Sequence, residues 1–273
     1  MTIQWCVCDL DGTLLNSHYR ISRENMAAIK RLRAEGIQFL LATGRPDFWV
    51  KEIVDLLQAE GPLIACNGAV IRNVPAGSLL RYEAMDASMV QSFADYCLAR
   101  QIDLLAYTTD TVYYTPGSRL LQVFLDYNRS KPTHYHVPAV PLEKGLIWPT
   151  EAVVKMLGDS RELPLDPEFR ELLQDSRITA VSSRPGLMDI MAKGVSKGSA
   201  LELLSASGII NLSHTVVIGD NYNDLSMFAV TDYGIAMGNA ETELKQAARF
   251  ITKSNEEHGI AYAIDQWILK GIE

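Results

Sequence analysis

Two acidic residues stand one residue apart near the start of the chain, directly after an apolar run. Residues 3–8 are predominantly apolar, which predicts a short buried strand, and Gly12 permits the backbone to turn sharply away from it. Because side chains two residues apart lie on the same side of an extended chain, the carboxylates of Asp9 and Asp11 could face one small site. The alternative interpretation is an ordinary turn, since Asp and Gly are common turn residues.

Polar residues also mark three other positions where an apolar run ends or a helical pattern begins: Thr43-Gly44 after residues 37–42, Lys197 after Ser196, and Asp220, Asn223 and Asp224 after residues 215–218. Each position has an ordinary alternative, namely a strand-to-helix turn, a solvated surface lysine, and a helix cap with its turn. The carboxyl ends of neighbouring strands in a doubly wound sheet converge on one crevice, however, and this favours a common site.

Phosphoryl transfer is the chemistry that such a group of residues supports. Asp9 is the candidate nucleophile, because a carboxylate can form an aspartyl-phosphate and divide hydrolysis into two steps. Asp11 is the candidate general acid, which protonates the leaving oxygen and later deprotonates the attacking water. Thr43 and the amide of Gly44 can donate hydrogen bonds to a phosphate oxygen, and Lys197 adds positive charge near a helix N-terminus.

Charge balance predicts a metal ion at this site. Three acids (Asp9, Asp220 and Asp224) and a phosphate dianion together carry a charge of about −5, against a single lysine. Like charges about 4 Å apart repel by roughly 4 kcal/mol per pair at an effective dielectric of about 20, which one ammonium group does not offset. Mg²⁺ prefers a few carboxylates together with phosphate and water, so we expect Mg²⁺ as the cofactor. Asp9 and Asp220 would be its side-chain ligands, with Asp224 bound directly or one contact further out.

Apolar strand runs alternate with helical segments on both sides of a central insertion. The predicted core elements are a helix from its N-cap Ser22 to Glu35, strands over 37–42, 63–66, 215–218 and 233–237, a helix over 47–59, and a helix from Lys197. This alternation predicts an α/β fold with a Rossmann-like, doubly wound parallel sheet.

The segment between these two parts has a different pattern. Its predicted elements are a hairpin of residues 104–107 and 111–114, strands over 153–157, 178–182 and 187–191, a helix over 167–174, and a segment over 131–149 that is mostly loop. Short paired strands with a few helices indicate an α+β unit. We therefore predict a core of residues 1–82 and 190–273 and an inserted α+β cap domain of residues 83–189.

Composition excludes several classes of partner. A formal net charge of −8, with no basic run longer than a pair, argues against nucleic-acid binding. No stretch approaches about 18 consecutive apolar residues, so no membrane-spanning helix is predicted. The first residues lack a signal-peptide pattern, and the four cysteines have neither metal-ligand nor disulfide spacing. We therefore expect a cytoplasmic protein with reduced thiols, and its oligomeric state stays open.

The polar groups also match the four motifs of a known family, in order. They are Asp9-Leu-Asp11-Gly-Thr13-Leu, Ala42-Thr43-Gly44-Arg45, Lys197-Gly198 and Gly219-Asp220-Asn221-Tyr222-Asn223-Asp224, and later segments over 236–240 and 255–259 agree as well. The sequence thus resembles the haloacid dehalogenase superfamily of Mg²⁺-dependent phosphohydrolases, specifically its Cof-type subgroup. The insertion has the position and size of that subgroup's cap.

The resemblance implies a role for each matching residue. Asp9 would be the nucleophile and Asp11 the acid and base, with the backbone carbonyl of Asp11 and the side chain of Asp220 on the metal. Asn223 would join Thr43 and Lys197 in the phosphate site. The second carboxylate, on Asp11, argues against a dehalogenase, which would not need that acid.

We therefore expect a Mg²⁺-dependent phosphatase that hydrolyses small phosphomonoesters through an aspartyl-phosphate intermediate. Its partner would be a small phosphorylated metabolite, with sugar phosphates as the expected class. Two alternatives stay open: a phosphomutase of related fold, which returns the phosphoryl group to its substrate, and a non-catalytic regulator that only binds a phosphorylated ligand.

Overall fold

A computed structural model describes residues 2–143, 153–159, 167–184 and 186–271 of the chain, apart from the side chains of 182–184. The strands in chain order are β1 (Trp5–Cys8), β2 (Gln38–Leu41), β3 (Gly61–Ala65), β4 (Val70–Val74), β5 (Leu79–Tyr82), β6 (Leu104–Tyr107), β7 (Val112–Tyr114), β8 (Ala139–Pro141), β9 (Lys155–Asp159), β10 (Ile178–Arg184), β11 (Leu187–Ala192), β12 (Thr215–Gly219), β13 (Tyr233–Ala236) and β14 (Phe250–Ile251). The α-helices are α1 (Arg23–Ala34), α2 (Lys51–Leu57), α3 (Ala87–Arg100), α4 (Gln122–Ser130), α5 (Pro167–Gln174), α6 (Lys197–Ala206), α7 (Leu225–Phe228), α8 (Thr242–Ala247) and α9 (Gly259–Ala263).

The core sheet is parallel, with the strand order β14-β13-β12-β1-β2. β1 lies between β12 and β2, and its residues Cys6, Val7 and Cys8 are fully buried, as expected for a parallel strand covered on both faces. β3 extends this edge through a single parallel bridge, Ala42 to Ile64, and forms an antiparallel sheet with β4 and β5. The predicted doubly wound α/β core is confirmed.

Local signals explain where the first helices begin and end. The side chain of Ser22 accepts a hydrogen bond from the backbone N–H of Asn25, which caps α1 as predicted. The helix predicted over 47–59 is divided into a 3₁₀ turn at Asp47–Trp49 and α2, which ends where Gln58 adopts a left-handed conformation. No sequence pattern predicts β4, β5 or α4.

The cap sheet has the strand order β10-β11-β9-β6-β7-β8 and is antiparallel except for the β7–β8 pair. The predicted hairpin is present as β6 and β7. The segment over 131–149, predicted to be mostly loop, also contains β8, which was not predicted because an edge strand tolerates Pro141 and does not need a strong apolar pattern. Residues 144–149 of that range lie outside the described residues.

The two faces of the cap sheet have different neighbours. Along β6, Leu104 and Ala106 pack in a cluster with α3 and α5, where the rings of Phe93 and Phe169 lie 5.9 Å apart. Leu105 and Tyr107 point to the opposite side of the sheet and join the main hydrophobic cluster of the core. One face of the sheet is thus covered by its own helices, and the other faces the carboxyl ends of the core strands.

Two further findings concern the expectations from composition. Among the described residues, none of the helices combines the length and the apolar character that a membrane span requires. All four cysteines are buried with free thiols, in agreement with a packing role for them.

Candidate active site

Three carboxylates from opposite ends of the sequence meet at the edge of the core sheet. Asp9 follows β1, and Asp220 and Asp224 follow the neighbouring β12. One oxygen from each of the three lies within 4.8 Å of the others. The parallel pairing of β1 with β12 therefore brings Asp9 together with acids more than two hundred residues away in the sequence. Polar residues at the carboxyl ends of neighbouring strands thus share one crevice, as expected.

Lys197 lies beneath these acids as the first residue of α6. Its Nζ is 2.6 Å from Asp9 Oδ1 and 2.6 Å from Asp224 Oδ1, and its side chain is completely buried. Burial lowers the pKa of Lys197, but the carboxylates of Asp224 and Asp9 raise it above its ordinary value, so the ammonium group stays charged. The alternative of a solvated surface lysine is wrong.

Both carboxylate oxygens of Asp224 accept hydrogen bonds from the protein. Its Oδ1 accepts from Lys197, and its Oδ2 accepts from the backbone N–H groups of Asp220 at 2.9 Å and Asn221 at 3.1 Å. The carboxylate fits against Gly219, where an added Cβ would lie 2.5 Å from its Cγ. Asp224 therefore fixes both the lysine and the loop that carries Asp220.

Asp220 lies against the loop that follows β1. Its Oδ1 accepts a hydrogen bond from the hydroxyl of Thr13 at 2.7 Å. Gly12 has a φ of +80°, and an added Cβ there would lie 2.2 Å from Asp220 Oδ2, so a side chain at position 12 would displace the carboxylate. The glycine and the threonine of the first motif thus serve to position an acid of the fourth.

With all three acids ionised, the cluster would carry more negative than positive charge. Burial raises the pKa of Asp9 to about 7, with Lys197 lowering it and Asp224 raising it. Burial, together with the carboxylates of Asp9 and Asp224, raises the pKa of Asp220 to about 9. One lysine therefore does not compensate three buried acids, and a hard cation with oxygen ligands fits this donor set.

Asp11 lines the same crevice as Asp9, but its carboxylate is held separately from the three acids. The guanidinium group of Arg45 donates two hydrogen bonds to it, from Nε at 2.7 Å and from Nη2 at 2.6 Å. Arg45 is itself fixed over the ring of Trp49, with its Cζ 4.4 Å from the ring centroid. Such a bidentate pair holds a carboxylate in a defined orientation.

The residues predicted to bind phosphate lie in different layers of the site. Gly44 and Asn223 line the crevice with Asp9 and Asp11. Thr43 is fully buried behind them, and its hydroxyl accepts a hydrogen bond from the backbone N–H of Arg45 at 3.1 Å.

The cap supplies a mostly apolar wall opposite these residues, lined by Tyr107, Leu120, Val123, Phe124, Leu157 and Leu187. Two charged cap residues, Lys155 and Asp189, stand where this wall meets the core, and their charged groups are 2.6 Å apart. Sequence reasoning gave no role to either residue or to Arg45. A usable signal existed, since Lys155 and Asp189 each interrupt an apolar strand run, where a charge is rarely solvated.

Comparison with known proteins identifies the family. A family model described as haloacid dehalogenase-like hydrolase matches residues 6–264. The chain belongs to this family. The phosphatase YwpJ of Bacillus subtilis is 31% identical over 276 residues, which cover 93% of this chain and 96% of that protein. The 5-amino-6-(5-phospho-D-ribitylamino)uracil phosphatase YwtE of the same organism is 34% identical over 276 residues, or 94% of this chain and 96% of the relative.

Solved structures agree with this assignment. A haloacid dehalogenase-like hydrolase from Bacillus subtilis superposes with a TM-score of 0.81 at 28% identity, over 97% of this chain and 99% of that one. A sugar phosphatase of subclass IIB superposes with a TM-score of 0.79 at 24% identity, over 96% and 98% of the two chains, and supports the fold alone. The predicted family, the core-and-cap fold and the enzyme class, a phosphatase, are confirmed. Phosphatases of this family are generally metal-dependent, in keeping with the buried acidic cluster.

Proposed function

We propose that this enzyme is a Mg²⁺-dependent phosphatase that hydrolyses small phosphomonoesters through an aspartyl-phosphate on Asp9. One observation carries the proposal: a buried lysine bonds Asp9 and Asp224 at 2.6 Å each, beside a third acid, Asp220, that it does not reach. The lysine fixes Asp9 in the crevice, and a divalent cation would balance the charge of the three acids when they are ionised.

Mg²⁺ fits the donor set that the cluster offers. We propose that Asp9, Asp220 and the backbone carbonyl of Asp11 hold the ion. Both oxygens of Asp224 accept hydrogen bonds from protein groups, so this residue acts one contact further out. The ion would neutralise charge on the phosphate oxygens and so stabilise the transition state.

The protein's own groups carry the two steps. Asp9 attacks phosphorus, and Asp11, in its protonated form and released from Arg45, gives a proton to the leaving oxygen. In the second step Asp11 takes a proton from the water that releases phosphate from Asp9. Lys197 compensates charge on Asp9 throughout, and the Gly44 amide, Thr43 and Asn223 form the proposed phosphate site.

The cap would close the crevice over the leaving group. We propose that residues 83–189 form this cap and that residues 1–82 and 190–273 form the core. Sugar phosphates remain the proposed substrate class. The relative YwtE supports it, because its name specifies a phosphate carried by a ribityl chain.

Hydrolysis of a generic aryl phosphate, measured as release of inorganic phosphate, tests the proposal. We expect turnover with Mg²⁺, loss of turnover after chelation with EDTA, and recovery when Mg²⁺ is restored. A panel of phosphorylated sugars, sugar alcohols and nucleotides would then rank substrates by kcat/KM. Absence of phosphate release from every ester tested with Mg²⁺ would contradict the proposal, and an isomerised product without free phosphate would point to a mutase.

A further inference from the structure

A chain of polar contacts leads from the cap sheet to the proposed phosphate site. Lys155 Nζ, on β9, lies 2.6 Å from Asp189 Oδ1, on β11, and donates to the carbonyl oxygen of Gly44 at 2.7 Å. Asp189 Oδ2 accepts a hydrogen bond from Asn67 Nδ2 at 2.7 Å, and Asn67 Oδ1 accepts one from Asn223 Nδ2 at 2.9 Å. This series of polar contacts therefore reaches two residues of the proposed phosphate site, Gly44 at one end and Asn223 at the other.

Stability alone does not account for this series of buried polar contacts. Lys155, Asp189 and Asn67 are 4%, 0% and 1% exposed, so the charges of an entire ion pair are removed from water. Replacing a buried ion pair with apolar residues is often neutral or stabilising. A buried pair beside a catalytic crevice therefore calls for an explanation in terms of what it orients.

The charge on Asp189 fixes the direction of every hydrogen bond beyond it. A carboxylate paired with lysine only accepts, so Asn67 must present its amide nitrogen to Asp189. Its amide oxygen then faces Asn223, which must present a nitrogen in turn. The second N–H of that nitrogen is left to serve a phosphate oxygen. The cap thus determines the orientation of the Asn223 carboxamide.

The turn that carries Asn67 is wedged among the loops of the site. Cys66 and Asn67 have φ values of 49° and 55°, a conformation that Asn tolerates better than most residues. An added Cβ at Gly68 would lie 2.1 Å from the carbonyl oxygen of Ser196, and one at Gly44 would lie 3.0 Å from Asn67 Oδ1. The turn therefore has little freedom to move, and changes in its side-chain contacts pass directly to Asn223.

We propose that Lys155, Asp189 and Asn67 form a positioning relay through which the docked cap orients the carboxamide of Asn223 toward phosphate. The proposal rests on the proposed function, since Asn223 acts on phosphate only if the crevice binds it. The relay residues do not contact phosphate themselves. They make phosphate affinity depend on two cap residues at the edge of the crevice.

Asn67→Gly is the most direct test, because glycine keeps the left-handed backbone and leaves the Lys155–Asp189 pair intact. We expect the affinity for inorganic phosphate, measured by calorimetry with Mg²⁺, and kcat/KM for an aryl phosphate to fall together by about 10- to 100-fold, as for a lost hydrogen bond to a charged group. Asn223→Ala should cause a fall of the same size. In the Asn223→Ala background, adding Asn67→Gly should change either quantity by less than about twofold, since the relay acts through Asn223.

Lys131→Met provides the matched control. It removes another ion pair between cap and core, with Lys131 Nζ 2.6 Å from Glu52 Oε1, and neither partner is among the described residues that line the crevice. We expect unchanged phosphate affinity in the control, both alone and in the Asn223→Ala background.

Asp189→Asn adds a nearly isosteric variant in which the new amide can present either oxygen or nitrogen to Asn67, and we expect it to behave like Asn67→Gly. It leaves Lys155 without its acid, so unfolding is measured in parallel, and Asn67→Gly decides the test if this variant does not fold. Unchanged phosphate affinity in Asn67→Gly would overturn the relay. So would a double variant in which the losses of phosphate affinity from Asn67→Gly and Asn223→Ala multiply in full. In both cases turnover by the wild type would still uphold the phosphatase. A wild-type protein that neither binds phosphate nor hydrolyses any ester would overturn both.

Discussion

Two buried lysines differ in their place at the site: Lys197 of the core lies beneath the acids, and Lys155 of the cap lines the crevice. Lys197 is 0% exposed and donates hydrogen bonds to two carboxylates. Lys155 is 4% exposed, forms an ion pair with one carboxylate and donates a hydrogen bond to one backbone carbonyl. Both sites follow the rule that a buried charge needs close partners. They differ in how completely those partners balance the charge.

That difference separates a chemical site from a positioning one. Around Lys197 the three acids, once ionised, would leave an excess of negative charge, which a metal ion can balance. Around Lys155 the single acid, Asp189, balances the lysine, so the pair is electrically complete. We therefore expect substitutions in the core site to abolish chemistry and substitutions in the cap site to alter phosphate binding.

Asp9→Asn should have the largest effect on activity. The variant keeps the shape of the side chain but removes the nucleophile, so we expect kcat to fall by at least about a thousandfold. Hydrolysis of an aryl phosphate at saturating Mg²⁺ measures it, with unfolding curves to confirm that the variant is folded. Retention of substantial turnover would remove Asp9 from its proposed role.

Lys197→Met should damage both stability and activity. It leaves Asp9 and Asp224 buried without their cation, and removing one partner of a buried pair costs about 3–5 kcal/mol. Urea denaturation with and without Mg²⁺ gives the free energy of unfolding, and we expect Mg²⁺ to recover only part of the loss. A variant as stable as the wild type would show that the two short contacts contribute little.

Lys155→Met should lower stability by a similar amount, about 3–5 kcal/mol, because it leaves Asp189 buried and unpaired. Here, unlike at Lys197, replacing the acid Asp189 as well should restore stability. We expect the double variant Lys155→Met/Asp189→Leu to recover most of the free energy of unfolding while its phosphate affinity stays low. A double variant with wild-type phosphate affinity would show that Lys155 and Asp189 contribute to packing and not to phosphate binding.

The contrast between the two lysines also explains what could be predicted from the sequence. Lys197 was predictable because its neighbours form local motifs at strand ends, and the apolar runs of β1, β2 and β12 are strong signals. Lys155 and Asp189 meet only because β9 and β11 pair in the cap sheet, and no local pattern encodes that pairing. Short edge strands such as β5, whose residues are all exposed, and β8 were missed for the same reason: their pairing partners, rather than their own patterns, make them strands.

Stability without metal should fall as pH rises, and the smallest effect that we predict is the compensating stabilisation by Mg²⁺. The raised pKa values of Asp9, about 7, and Asp220, about 9, mean that the folded state binds more protons than the unfolded state between about pH 4 and pH 9. Unfolding free energy should therefore decline across that range. Mg²⁺ binds the ionised acids, so its stabilisation should grow with pH toward about 2.7 kcal/mol at a hundredfold excess over its dissociation constant.

Thermal unfolding at pH 5.5 and pH 8, with Mg²⁺ or EDTA, checks this dependence. Asp220→Asn is the control, since it removes one of the two titrating ligands and should flatten the response to Mg²⁺. A stabilisation by Mg²⁺ that is equal at both pH values would contradict the assignment of these acids to the metal.

Trapping the phosphorylated residue tests the central claim most directly. A single turnover is quenched in acid and reduced with borohydride, which converts an aspartyl-phosphate into homoserine, and the peptides are sequenced by mass spectrometry. We predict homoserine at position 9 in the wild type after reaction with substrate and Mg²⁺, and none when either is omitted. Turnover that leaves Asp9 unmodified, or that converts a different aspartate, would contradict the mechanism.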